Sequence, residues 1–209
     1  MDGIYIIGII LGLFLFIGFV IIMFIIGFFI HKGNLSKSKK NQKFEEEIGV
    51  EILKTLNENF NTKWVKPSLY KNLKTKEKFQ LGNILISPGS VVLFKANYIE
   101  DGHIDGDALQ REWHIKGSKR DYIFPNATIE LGEDMEKLAA ILPPNTPIIG
   151  IMVFYKETTP LIVNLKPYMS YVTIDNLDYE MNKIIKNLPA ILDSKDIENI
   201  VNLLIECKQ

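Results

Sequence analysis

The chain has 209 residues with 24 Lys and Arg against 25 Asp and Glu, a formal net charge of −1. That balance does not argue for a dedicated nucleic-acid-binding protein, which is usually basic over at least one face, and it leaves room for a local patch. Cys207 is the one cysteine, which excludes a disulfide framework and a cysteine metal cluster, and His31, His103 and His114 show no metal-ligand spacing. The first thirty residues set the first element. From Ile4 to Ile30 the run IYIIGIILGLFLFIGFVIIMFIIGFFI contains no charged residue. Roughly 20 apolar residues cross a hydrocarbon core as a helix, so residues 1–30 are predicted as a transmembrane anchor. A cleaved signal peptide would need a basic start, a shorter apolar run and a small-residue cleavage site, and none is present. Gly8 and Gly12 have a helix-pairing spacing, but no clean glycine face runs the length of the segment.

Residues 31–43 follow as a basic juxtamembrane linker. Lys32, Lys37, Lys39, Lys40 and Lys43 lie there without an acid. The positive-inside rule puts this end in the cytoplasm and the N-terminus outside, with the bilayer as the partner of residues 4–30. The linker's Lys, Ser, Asn and Gln read as flexible, and would be drawn to anionic lipid.

From residue 44 onward the chain is the right length for one domain. It carries 19 Lys and Arg against 24 Asp and Glu, so it is mildly acidic. Phe44, Ile48, Ile52, Leu56 and Phe60 recur at helical spacing, which predicts an amphipathic helix over 44–60. A short strand is expected at 62–65 and a lysine-rich loop at 70–78. Residues 79–86 and 91–98 are β-rich runs separated by Ser87-Pro88-Gly89-Ser90, which is hairpin chemistry. Short strands are expected around Gly102 to Gly106, at 113–116 and at 122–124. A helix over 133–142 stops at Pro143-Pro144. The continuous apolar run over 147–155 predicts a strand buried on both faces. Strands at 161–164 and 171–174 and helices over 177–188 and 194–207 complete a mixed-sheet α/β domain, with Asp193 or Ser194 capping the last helix.

The stretch QLGNILISPGSVVLFKANYIEDGHIDGD followed by Trp113 resembles the nuclease-related domain family, NERD. In that family a strand carrying Q-[IV]-D-H leads through V-V-V-S-x-x-G to a second strand ending E-x-K, then G-x-I-x-G and a tryptophan. Gln80, Ser87, Gly102-x-Ile104-x-Gly106 and Trp113 fall in register, and Pro125 corresponds to a downstream N-P element. The helix with Glu47, Gly49 and Glu51 resembles the family's opening helix. The resemblance implies a PD-(D/E)xK nuclease-like core over 44–209. In such cores an Asp and a Glu on neighbouring strands hold a divalent cation that activates water, and a lysine acts beside them.

The implied catalytic positions are degenerate here. The Asp position is Gly82, the Glu position Lys95 and the lysine position Asn97. A one-residue slip substitutes Phe94 and Ala96 and restores nothing. A lysine at a ligand position repels a cation. The resemblance therefore implies a catalytically inactive domain acting as a binding or scaffolding module, with no cofactor and a protein or nucleic-acid partner left open. One alternative is a Mg²⁺-dependent nuclease built from displaced acids, with Glu47, Glu51 and Asp105 as candidates and Glu100, Asp101 and Asp107 nearby. The same acids also read as a solvated turn and helix-terminus charge. A second alternative is a membrane-assembly interaction module unrelated to nucleic acid. Asn126-Ala-Thr128 is an N-x-T sequon, silent in the cytoplasm.

Overall fold

A computed structural model describes residues 2–56 and 61–209; within the first helix, side chains are described for 16–27 and 39–56. The chain divides into two compact units, Met1–Gln42 and Lys43–Gln209. Helix α1 spans Asp2–Leu56. In the first unit the described apolar side chains are exposed all round the helix, among them Phe16, Phe19, Ile22 and Phe24, the last 81% exposed. Among the described residues no helix is long and apolar enough to cross a membrane. Of the run expected to do so, the side chains of residues 4–15 and 28–30 lie outside the described residues. Residues 31–43, expected as a flexible linker, have helical backbone. Lys and Gln are good helix formers, which outweighs the few Ser, Asn and Gly among them.

The second unit is a mixed α/β domain. Its main sheet has five strands in the order β1 (Lys63–Val65), β4 (Ile84–Ile86), β5 (Val91–Asn97), β9 (Ile148–Phe154), β11 (Met169–Thr173). The first three are antiparallel, and β5, β9 and β11 run parallel, with Val91 opposite Ile148 and Gly150 opposite Met169. A four-stranded sheet is ordered β10 (Thr158–Val163), β6 (Gly102–Asp107), β7 (Glu112–Lys116), β8 (Asp121–Pro125), and β2 (Ser68–Lys71) pairs with β3 (Lys78–Leu81).

Side chains on β5 alternate between two cores, as the period of two requires. Val92 and Phe94 join Phe44, Ile48 and Ile52 of α1, Ile151 and Val153 of β9, and Leu177 and Met181 of α3 (Leu177–Asn187). Val91 and Leu93 face the other way, toward Leu131, Met135 and Leu138 of α2 (Ala127–Ala139) and Ile197, Ile200 and Leu204 of α4 (Ser194–Cys207). Ile84, Ile86, Val92, Ile151, Val153 and Leu204 are buried, and Ile149 packs at the margin of the core. Gly150 lets α2 close on β9: an added Cβ would sit 2.6 Å from Met135 Sδ and 2.8 Å from Leu131 Cδ2.

Three expectations are corrected. The run 79–86 is not one strand; it breaks at Gly82 into β3 and β4, which belong to different sheets. The lysine-rich stretch 70–78 is partly ordered, since its ends form β2 and β3. Helix α2 starts well before residue 133, because Asn126 caps it, accepting from Thr128 N at 2.8 Å. Asn126 is 2% exposed, and its amide donates to the carbonyls of Asp107, Ala108 and Gln110. The sequon is therefore closed to modification once the domain is folded. Helix α4 is capped as expected, with Asp193 and Asp196 forming a reciprocal capping box.

Candidate functional site

The degenerate positions meet at one corner of the main sheet, and local sequence explains how. Gly49 on α1 admits Trp64: an added Cβ would stand 2.9 Å from the indole Cζ2 and 3.2 Å from Asn83 Oδ1. Trp64 Nε1 donates to Asn83 Oδ1 at 2.9 Å, and Asn83 Nδ2 donates to the Glu45 carbonyl at 3.0 Å. Asn83 is 1% exposed, and through it this chain of bonds joins α1 to the β3–β4 junction. Phe94 N donates to Asn83 O at 2.9 Å and draws β5 against the same junction. Gly82 is needed there for space alone. A Cβ on it would collide with the Phe94 carbonyl oxygen and lie 3.2 Å from Glu45 Oε1.

Lys95, one residue further along β5, points to the α2 side. Its Nζ is 2.7 Å from Asp134 Oδ2 and 3.5 Å from Glu130 Oε2. The Lys95 side chain is 25% exposed and that of Asp134 13%, so the pair is well shielded. Lys137 Nζ reaches the other Asp134 oxygen at 3.9 Å. Burial alone would lower the Lys95 pKa, but the Asp134 carboxylate and then Glu130 outweigh it and hold the ammonium above its ordinary range. Burial raises the Glu45 carboxyl above its usual range; Lys95 opposes that and Asp134 adds to it. Asn97 is buried, with its amide donating to the Lys95 carbonyl at 3.0 Å.

Gly82, Lys95 and Asn97 thus lie together, with three acids that the sequence reading did not assign: Glu45, Glu130 and Asp134. Position on α1 decides the first. Glu45 follows Phe44 at the edge of the buried stripe and reaches the corner. Glu47 is partly exposed, and Glu51 pairs with Lys54 at 2.5 Å. The helical period of Glu130 and Asp134 was a readable signal only with α2 extended back to residue 127.

The other displaced acids lie on a different sheet. Asp105 is exposed on β6 opposite His114 of β7. Asp101 accepts from Ser118 N at 3.2 Å, and Asp107 from Leu109 N at 2.9 Å and Asn164 Nδ2 at 3.0 Å. These bonds hold both carboxyls below the usual carboxylate range and close turns and strand ends. Among the described residues no group of three or more His, Cys, Asp or Glu is arranged to hold a metal ion. Trp113, from the resemblance, is fully buried and donates to the Asp107 carbonyl at 2.9 Å over Gly106. Compared with family models, curated proteins and solved structures, the chain gives no match.

Chemically, the corner is self-contained. Each acid facing Lys95 draws on its ammonium, and among the described residues no hydroxyl or thiol is held against a base there. What it does well is tie β5 to α2 through charge.

Proposed function

We propose that this chain is a membrane-anchored, nuclease-related module whose metal-holding corner has been closed by an internal ion pair, and that it acts by binding or scaffolding rather than by cleavage. The carrying observation is Lys95, whose ammonium lies 2.7 Å from Asp134 at the position where the resemblance requires a metal-holding carboxylate. A fixed ammonium in that place gives Asp134 its counter-charge and repels a second cation. Gly82 supports the same reading, because no side chain fits at the other ligand position without displacing β5. The anchor is supported by the uncharged run from Ile4 to Ile30, and its orientation by the lysines that follow.

The test is a plasmid-nicking assay on the full chain in detergent micelles with Mg²⁺ or Mn²⁺, alongside Mn²⁺ calorimetry. Neither nicking nor binding heat is expected. Gly82→Asp with Lys95→Glu and Asn97→Lys is expected to give no activity either, because the new Cβ meets the Phe94 carbonyl. Metal-dependent nicking that disappears on Glu47→Gln, Glu51→Gln or Asp105→Asn would replace this reading with a displaced-acid nuclease.

A further inference from the structure

The lysines of the β2–β3 hairpin are placed at a cost that the fold does not explain. Lys71 is the cross-strand partner of Lys78. Like charges directly opposite each other destabilise a strand pair. Lys74 and Lys76 extend the same charge to the tip, where Glu77 is the one acid. None of these four lysines takes part in an ion pair among the described residues. The remainder of the chain from residue 44 has 15 Lys and Arg against 23 Asp and Glu, so positive charge is concentrated on this hairpin.

The tip is also rigidly built. Asn72 is buried, and its side-chain oxygen accepts from Lys74 N at 2.9 Å and Thr75 N at 3.1 Å. Its backbone bonds Glu77 O at 2.9 Å and Lys76 N at 2.8 Å, and Lys76 takes a left-handed φ of 64°. Gln209 N donates to Leu69 O at 3.0 Å and ties the base of the hairpin to the chain's last residues. This scaffold leaves Leu73 41% and Leu69 44% exposed among the lysines.

We infer that the β2–β3 hairpin is a docking surface for anionic phospholipid headgroups, with Lys71, Lys74, Lys76 and Lys78 meeting phosphates and Leu73 entering the interface. The inference rests on the membrane anchoring proposed above, which brings the domain to a leaflet rich in anionic lipid. Basic side chains interleaved with exposed aliphatic ones are the composition of an interfacial lipid contact. Nucleic acid suits the hairpin less well. It has no arginine, and its two aromatic rings, Tyr70 and Phe79, stack on each other in the core and offer no platform to a base.

The test uses the full chain in nanodiscs of phosphatidylcholine with or without phosphatidylserine. A fluorophore is placed on Leu73→Cys; native Cys207, 2% exposed, stays unlabelled in the folded chain. Spin-labelled lipid is expected to quench the fluorophore in serine-containing discs and not in neutral ones, and salt at about 0.5 M should abolish the quench. Lys74→Gln, Lys76→Gln and Lys78→Gln together should lower the quenched population more than about tenfold, taking roughly fivefold per lysine at an anionic surface. Near-ultraviolet circular dichroism checks that this variant is folded. A chain that stays in the discs with an unquenched label overturns the hairpin contact and leaves the anchor standing. A chain extracted by alkaline carbonate overturns the anchor and the contact with it. Equal quenching in neutral discs removes the headgroup role, and a label that responds to single-stranded oligonucleotide and not to lipid assigns the surface to nucleic acid instead.

Discussion

Helix α1 carries two stretches of unlike composition and opposite surroundings. Over residues 16–27 the large apolar side chains are exposed on every side, whereas Phe44, Ile48 and Ile52 are at most 1% exposed. The difference lies in pattern. The first stretch has no polar side; the second repeats its apolar residues every four positions and needs only one neighbour. The four-residue spacing of Phe44, Ile48 and Ile52 among charged residues is what marks a helix that packs on one side.

Substitutions at matched positions sharpen this contrast. Phe44→Ala removes a ring that packs edge-on against Tyr98 and Tyr155 at 5.9 and 5.8 Å, and is expected to cost about 3–5 kcal/mol. Phe24→Ala should leave domain stability within about 0.5 kcal/mol. Denaturant unfolding of the full chain in micelles, followed by tryptophan fluorescence, measures both; similar losses would erase the distinction. The glycines give a smaller contrast. Gly49→Ala drives a methyl into the Trp64 ring and should cost about 1–3 kcal/mol. Gly27→Ala meets no atom within 4 Å and should be neutral or slightly favourable to the helix. A neutral Gly49→Ala would mean that Trp64 does not rest on α1.

The smallest effect concerns charge at the end of the buried stripe. Glu45 is held above its ordinary pKa of 4.5 chiefly by burial, so the unfolded chain loses this proton at lower pH than the native one. Its stabilising share is complete below pH 4.5 and is lost as pH rises through the raised native value. Glu45→Gln should therefore match or slightly exceed the native chain at pH 7 and lose that advantage by pH 4. Unfolding midpoints at the two pH values decide it; a variant weaker at pH 7 than at pH 4 would make Glu45 a net stabilising partner of Lys95.

Much of the fold was legible because local chemistry agreed with long-range packing. Ser87-Pro88-Gly89-Ser90 makes its turn, with Ser87 Oγ donating to the Ser90 carbonyl at 3.0 Å, and the apolar run 147–155 becomes the buried strand β9. The break at Gly82 was not legible. It depends on the approach of the Phe94 carbonyl, which no local pattern announces. Lys95 and Gly82 could be marked as degenerate positions from the resemblance, yet Asp134, the partner that gives Lys95 its role, lies on a helix whose start was misjudged. The signal for that start lies in Asn126-x-Thr128, where the asparagine of the sequon is the cap of the helix.

The pairing of β5 with β9 carries a kinetic consequence. Their register joins Val91 to Ile148, with β6, β7, β8 and α2 all lying between them in the chain. The β4–β5 hairpin can zip early, in about 1–10 μs, because its turn is local. The parallel pair must close a loop of three strands and a helix first, and non-local closures of that kind slow folding by orders of magnitude. Until they meet, the apolar edge of β5 stands open, so during synthesis the nascent chain is vulnerable to aggregation until residues 148–154 have left the ribosome.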